Sequence, residues 1–110
     1  MTDQTEQRFI EFEELSKNYA SAQAEADYLD DYTKSKLAML MKVAEAQGAV
    51  SAAIQEREAR RDAEFITHLQ GKRVAVERAL ALKWKLTIQQ MRFEHWRTKQ
   101  ATRRAEMNLR

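Results

Sequence analysis

The chain has 110 residues with 19 Lys and Arg, 17 Asp and Glu, no Cys, no Pro and two Gly. A chain this short is one domain at most, and the scarcity of Pro and Gly removes the usual punctuation of strands and long loops, which leaves an all-α fold. Without Cys there is no disulfide framework and no thiolate for structural zinc or nucleophilic catalysis, as suits a reducing cytoplasm.

The N-terminal stretch MTDQTEQRFIEFEEL is acidic and lacks the basic and apolar regions of a signal peptide, and no apolar run approaches the ~20 residues that span a bilayer. A cytoplasmic protein without membrane contact is expected. Thr2 or Thr5 is a candidate N-cap for a first helix over about 5–47, with Asp3 and Glu6 in the first turn where the macrodipole favours negative charge. Phe12, Leu15, Tyr19, Ala22, Ala26, Leu29 and Thr33 recur at heptad spacing as its seam, continued by Leu37, Leu40 and Ala44. Alanines at 20, 22, 24 and 26 leave room for a close helix approach, and KLAMLMKV is apolar around enough of its circumference to be enclosed by other elements.

Gly48 is a candidate C-cap, and Ser51 a candidate N-cap for a short helix over about 51–60. The stretch EREARRDAE reads as solvent-facing, with Glu56–Arg60 and Arg60–Glu64 spaced as ion pairs. The last helix is predicted over about 62–108, passing through Gly71 because neither Pro nor a Ser/Thr cap follows it. The result is a single helical domain, 1–110, built as an antiparallel helical hairpin of two long helices and a short connector. Pairing positions whose numbers add to about 120 places Leu15 near Ala105, Ala26 near His95 and Leu40 near Leu80. Two helices alone bury little, so a coiled-coil-like homo-oligomer, a dimer, is expected, with Phe9, Tyr28, Tyr32, Phe93 and Met107 left over for its interface.

Charge is strongly polarised along the chain. Residues 71–110 carry 11 Lys and Arg against 3 acids, whereas 1–70 carry 8 against 14. Two stripes of heptad phase run along this basic helix. Trp84, Ile88, Met91, His95, Thr98, Thr102, Ala105 and Leu109 form the expected buried face. Arg78, Lys85, Gln89, Arg92, Trp96, Lys99, Arg103 and Arg110 form the expected binding face, about 48 Å long at the helical rise. Arg97 and Arg104 add to its charge.

Residues for other chemistry are sparse. His68 and His95 have no Cys and no Glu-x-x-His pair beside them, so neither a metal nor another cofactor is expected. Adjacent carboxylates such as Asp30–Asp31 and Glu13–Glu14 point about 100° apart on a helix and suit a solvated face. With no phosphate-binding loop, nucleophile elbow or dinucleotide fingerprint, a non-enzymatic protein is expected.

The segments YASAQAEADYLDDYTKSKLAMLMK and RFEHWRTKQATRRAEMNLR resemble small all-helical proteins encoded by tailed phages and prophages, through Tyr19, Ala26, Tyr28, Lys34 and Lys36, then Trp84, Arg92, Glu94, Trp96, Arg97, Ala101 and Glu106. The resemblance implies a phage protein in the host cytoplasm and transfers no activity. Interleaved cations and tryptophan suit single-stranded DNA or RNA, where basic grooves follow the backbone and aromatic faces stack on bases. The alternatives are an inhibitor or adaptor docking on a host protein complex, of the anti-defence type, with Glu11, Glu14, Glu25, Asp30 and Asp31 as contacts if an acidic helix imitates DNA, and a structural assembly factor.

Overall fold

A computed structural model describes residues 3–109. Among them are three helices and no strand: α1, Gln4–Ala46; α2, Ala52–Arg61; and α3, Ala63–Asn108. The chain is an all-α antiparallel hairpin of two long helices with a short connecting helix.

Local chemistry sets each boundary. Asp3 caps α1: its Oδ1 accepts from the Thr5 N–H at 3.3 Å and its carbonyl from the Gln7 N–H at 2.9 Å. Thr5 therefore lies inside the first turn instead of capping it, and Thr2 falls outside the described residues. α1 ends in a Schellman motif, in which the Ala49 N–H donates to the Ala44 carbonyl and the Gly48 N–H to that of Glu45. Gly48 sits at φ +108°, a region that side chains disfavour. Ser51 caps α2 through an Oγ that accepts from the Ile54 N–H at 3.2 Å.

One residue, Asp62, closes α2 and opens α3. Its backbone is extended, its N–H donates to the Ala59 carbonyl, and its carboxylate accepts from the Glu64 N–H at 2.8 Å. This break decides the local ion pairs. Arg60 pairs with Glu56 within α2 at 2.9 Å, but the expected Arg60–Glu64 pair is absent, because the two residues no longer share a helix. Glu64 instead accepts from Lys36 of α1 at 3.1 Å.

The chain divides into two compact units, 21–79 and 3–20 with 80–109. In the unit 21–79, α1 and the return arm pair through Asp30–Lys72, Thr33–His68 and Lys36–Glu64, whose numbers add to 102, 101 and 100. The expected sum of about 120 is thus too large by about 18 residues, roughly five helical turns. Reversal at Gly48–Ser51 is the reason: α2 already packs back on α1, with Ala59 in one cluster with Leu40 and Phe65, backed by Leu37 and Met41. Met39 and Val43, expected to be enclosed with them, stay exposed. Ala22 and Ala79 are both buried and add to 101, so small side chains stand opposite one another where the helices approach.

The seam of α1 follows the expected heptad, with Phe12, Leu15, Tyr19, Ala22, Ala26, Leu29, Thr33, Leu37, Leu40 and Ala44 all half-buried or buried. That of α3 does not. Its covered residues are Phe65, His68, Lys72, Ala75, Ala79, Leu82, Leu86, Gln89, Phe93, Trp96 and Gln100, an alternation of threes and fours without a gap, with Thr87 half-buried beside Leu86. Every residue of the expected buried face, from Trp84 to Leu109, is exposed.

In the unit 3–20 with 80–109, Phe9 of α1 meets Phe93 of α3 edge to face at 5.5 Å, again a pair whose numbers add to 102. No described residue of this unit is fully buried; all seven buried residues, five of them alanines or small neighbours of Phe65 and Leu40, belong to 21–79.

Candidate nucleic-acid interface

The residues singled out for binding fall into three groups once the α3 seam is known. Lys85, Arg92 and Lys99 are seven apart and form one flank of the seam, each beside a residue that faces α1. Trp96 is not on that flank. It occupies the seam itself, half-buried, with its ring stacked on Phe93 at 5.9 Å between centroids. Arg97 and Arg104 lie on the opposite flank, and Arg103 continues the seam phase. Arg78 has the phase of the first flank but belongs to the unit 21–79, and Arg110 lies outside the described residues.

Where α1 begins decides which of these face another helix. With the Phe9–Phe93 register, Gln4 stands opposite residue 98, so no described residue of α1 lies beside α3 beyond Lys99. Residues 101–109 are exposed throughout, Arg103 and Arg104 among them. Just before that overhang lies a groove of about 810 Å³ whose walls include Arg8, Phe9 and Phe12 from α1 and Arg92, Phe93, Trp96 and Lys99 from α3. The aromatics stand at spacings of three on each helix, Phe9 with Phe12 and Phe93 with Trp96, which puts both pairs on inward faces.

The groove carries three cations, Arg8, Arg92 and Lys99, against two carboxylates, Glu11 and Glu13. Lys85, Arg92, Arg97, Lys99, Arg103 and Arg104 make no ion pair within 4 Å with a described carboxylate. Glu11 and Glu13 also line the groove, and Glu13 is engaged by Lys17 at 3.3 Å. His95 lines it as well, exposed on the outer side of α3. Among the described residues no three His, Asp or Glu side chains converge as metal ligands would. Nor is any helix long and apolar enough to cross a membrane.

Of the residues expected at an oligomer interface, Phe9, Tyr28 and Met107 are exposed and Tyr32 and Phe93 half-buried, and four of them also make ring contacts within the chain. Phe9 and Phe93 meet each other, and in the other unit Tyr28 stacks on Tyr32 at 6.1 Å, whose ring edge meets His68 at 5.6 Å. His68 is tied into the seam: the Thr33 hydroxyl donates to the Leu29 carbonyl at 2.8 Å, so its oxygen accepts from the His68 Nε2–H at 2.9 Å.

Sequence reasoning missed Arg8 and the pairing of Phe9 with Phe93, although it placed Phe12 on the inward seam of α1. The F-x-x-F and F-x-x-W spacings would have pointed to them had they been compared across the two helices. Compared with known proteins, the chain matches no protein-family model, no curated protein and no solved structure. The functional reading therefore rests on this groove and its charge.

Proposed function

We propose that the protein is a non-enzymatic, cytoplasmic helical-hairpin protein that binds single-stranded nucleic acid in the groove between Phe9 and Trp96 and along the overhanging end of α3. The observation that carries this reading is the stacked Phe93–Trp96 pair, half-covered at a groove rimmed by Arg8, Arg92 and Lys99 without ion partners for the two α3 cations. Bases stack on aromatic faces with about 1–3 kcal/mol each, and cations beside them follow the phosphates. Arg103 and Arg104 extend the positive track beyond the groove, where no described residue of α1 lies opposite. The resemblance to phage-encoded helical proteins fits a role in phage DNA metabolism.

Fluorescence anisotropy of a labelled single-stranded oligonucleotide tests the reading. Affinity that falls steeply with salt, together with quenching of tryptophan emission, is the expected result; no binding at low salt removes it. The protein is further proposed to act as a homodimer. A second reading, docking on an acidic surface of a host protein complex, is favoured by the same unpaired cations together with the uncovered apolar residues of α3. Capture of a host protein that survives nuclease treatment, without oligonucleotide binding, would be its mark.

A further inference from the structure

α3 carries a second apolar stripe that its own chain leaves uncovered. Trp84, Ile88, Met91 and His95 each stand two residues after a seam position, Leu82, Leu86, Gln89 and Phe93, and so are turned about 200° from the face that meets α1. Trp84 is 61 % exposed, Ile88 46 % and Met91 64 %. Thr98, Thr102, Ala105 and Leu109 continue the heptad phase toward the end of the helix.

From this stripe we infer that the outer face of α3 is the surface on which a second copy of this chain packs, α3 parallel to α3. The inference rests on the self-association part of the proposed function and not on nucleic-acid binding.

Three observations select this occupant. The first is area. A compact monomer of 12.9 kDa exposes about 6,300 Å², whereas this chain exposes 8,960 Å². The excess of about 2,600 Å² leaves room for the roughly 1,000–2,500 Å² that each subunit of an obligate dimer buries. The second is location. The unit holding the stripe has no fully buried residue of its own, so its two helices lack the enclosed core that the unit 21–79 has around Phe65.

The third is charge. With Trp84, Ile88 and Met91 as a seam, one flank is Leu80, Thr87, Glu94 and Ala101 and the other is Lys85, Arg92, Lys99 and Glu106. In an antiparallel pair each flank would meet itself. In the register centred on Ile88, Lys85 would face Arg92 of the partner subunit, and in that centred on the whole stripe, Arg92 would face Lys99 of the partner subunit. In a parallel pair the flanks meet each other five residues apart, which sets Glu94 beside Lys99 of the partner subunit, twice by symmetry. Like charges oppose the first arrangement and opposite charges favour the second. The dimer face and the groove share a wall, because His95 belongs to the stripe and Arg92 and Lys99 flank it while all three also line the groove.

Sedimentation equilibrium of the full chain without nucleic acid is the test. The wild-type protein is expected to be a dimer, and Ile88→Asp to raise its dissociation constant by at least about a hundredfold while the far-ultraviolet helical signal is kept. Because Ile88→Asp introduces a charge into the stripe and could unsettle the helix, a surface pair serves as the second arm: Glu94→Lys weakens the dimer, and adding Lys99→Glu restores it. A monomeric wild type overturns self-association altogether. A dimer that Ile88→Asp leaves intact, or that the charge exchange does not move, overturns this surface while leaving oligonucleotide binding to be judged by its own assay.

Discussion

Lys72 occupies a position on the α3 seam, yet its Nζ reaches out to Asp30 Oδ1 of α1 at 2.6 Å. The hydrogen bond and charge of Lys72 hold the Asp30 carboxyl below the usual aspartate range, with a smaller push from Lys34. A depressed folded-state pKa means that the pair stabilises the fold above the unfolded aspartate pKa and that this stability is lost as pH falls through the folded value. Asp30 is exposed to solvent, so the effect on stability is small; the register it marks is the larger point. Lys72→Met is expected to bring the Asp30 titration back toward the ordinary aspartate range, read from its side-chain carbon shift in a pH series. An unchanged midpoint would show that the pair does not form in solution.

Gly71 sits in the interior of α3, exposed, and a Cβ built there meets nothing within 4 Å. Glycine in a helix interior is less favourable than alanine by about 0.5–1 kcal/mol, through the freedom it retains in the unfolded chain. Gly71→Ala should therefore raise the midpoint of urea denaturation by that much in free energy. Gly48 is the opposite case at φ +108°, and Gly48→Ala should lower stability although its surroundings are equally open. A loss at Gly71 would mean that the helix is interrupted there.

Why α1 could be read from sequence and α3 only in part follows from their outer faces. The residues of α1 that turn away from the seam, such as Glu13, Glu14, Lys17, Asp27 and Asp31, are charged, so one stripe stands out. On α3 two stripes compete. The true seam is diluted by His68, Lys72, Gln89 and Gln100, while the outer stripe contains Trp84, Ile88 and Met91. Only the alanines discriminate, because Ala79 suits the tight approach at Ala22 and no residue of the outer stripe near it does. The cations at 85, 92 and 99 were legible as a line, but Trp96 was read as their neighbour on the surface when it is seated on the seam.

Phe65 is 2 % exposed and is the largest side chain of the buried cluster it forms with Leu40 and Ala59. Replacing it by alanine removes its burial and leaves a cavity against Leu40 and Ala59, which together cost about 3–5 kcal/mol. Phe65→Ala is expected to lower the thermal midpoint sharply. Amide hydrogen exchange of the wild type should show its slowest protons around Leu40 and Phe65 and faster ones in 3–20 and 80–109, where nothing is fully buried. Uniform protection across the chain would contradict this division.

The groove itself makes separable demands on charge and on stacking. Arg92→Ala and Lys99→Ala each remove one phosphate contact, so each should weaken binding of all single-stranded sequences alike and reduce the logarithmic salt slope by about 0.7. Trp96→Ala should instead weaken binding by about 1–3 kcal/mol with the slope unchanged, because stacking releases no counterions. Phe9→Ala tests the same surface from the α1 side: it removes the edge-to-face partner of Phe93 and should loosen the groove without altering net charge. Lys83, which shares the flank of Arg97 and Arg104 but does not line the groove, is the control, and Lys83→Ala should change affinity least of the five. Equal losses at Lys83, Arg92 and Lys99 with none at Trp96 would point to a diffuse cationic attraction in place of a built site.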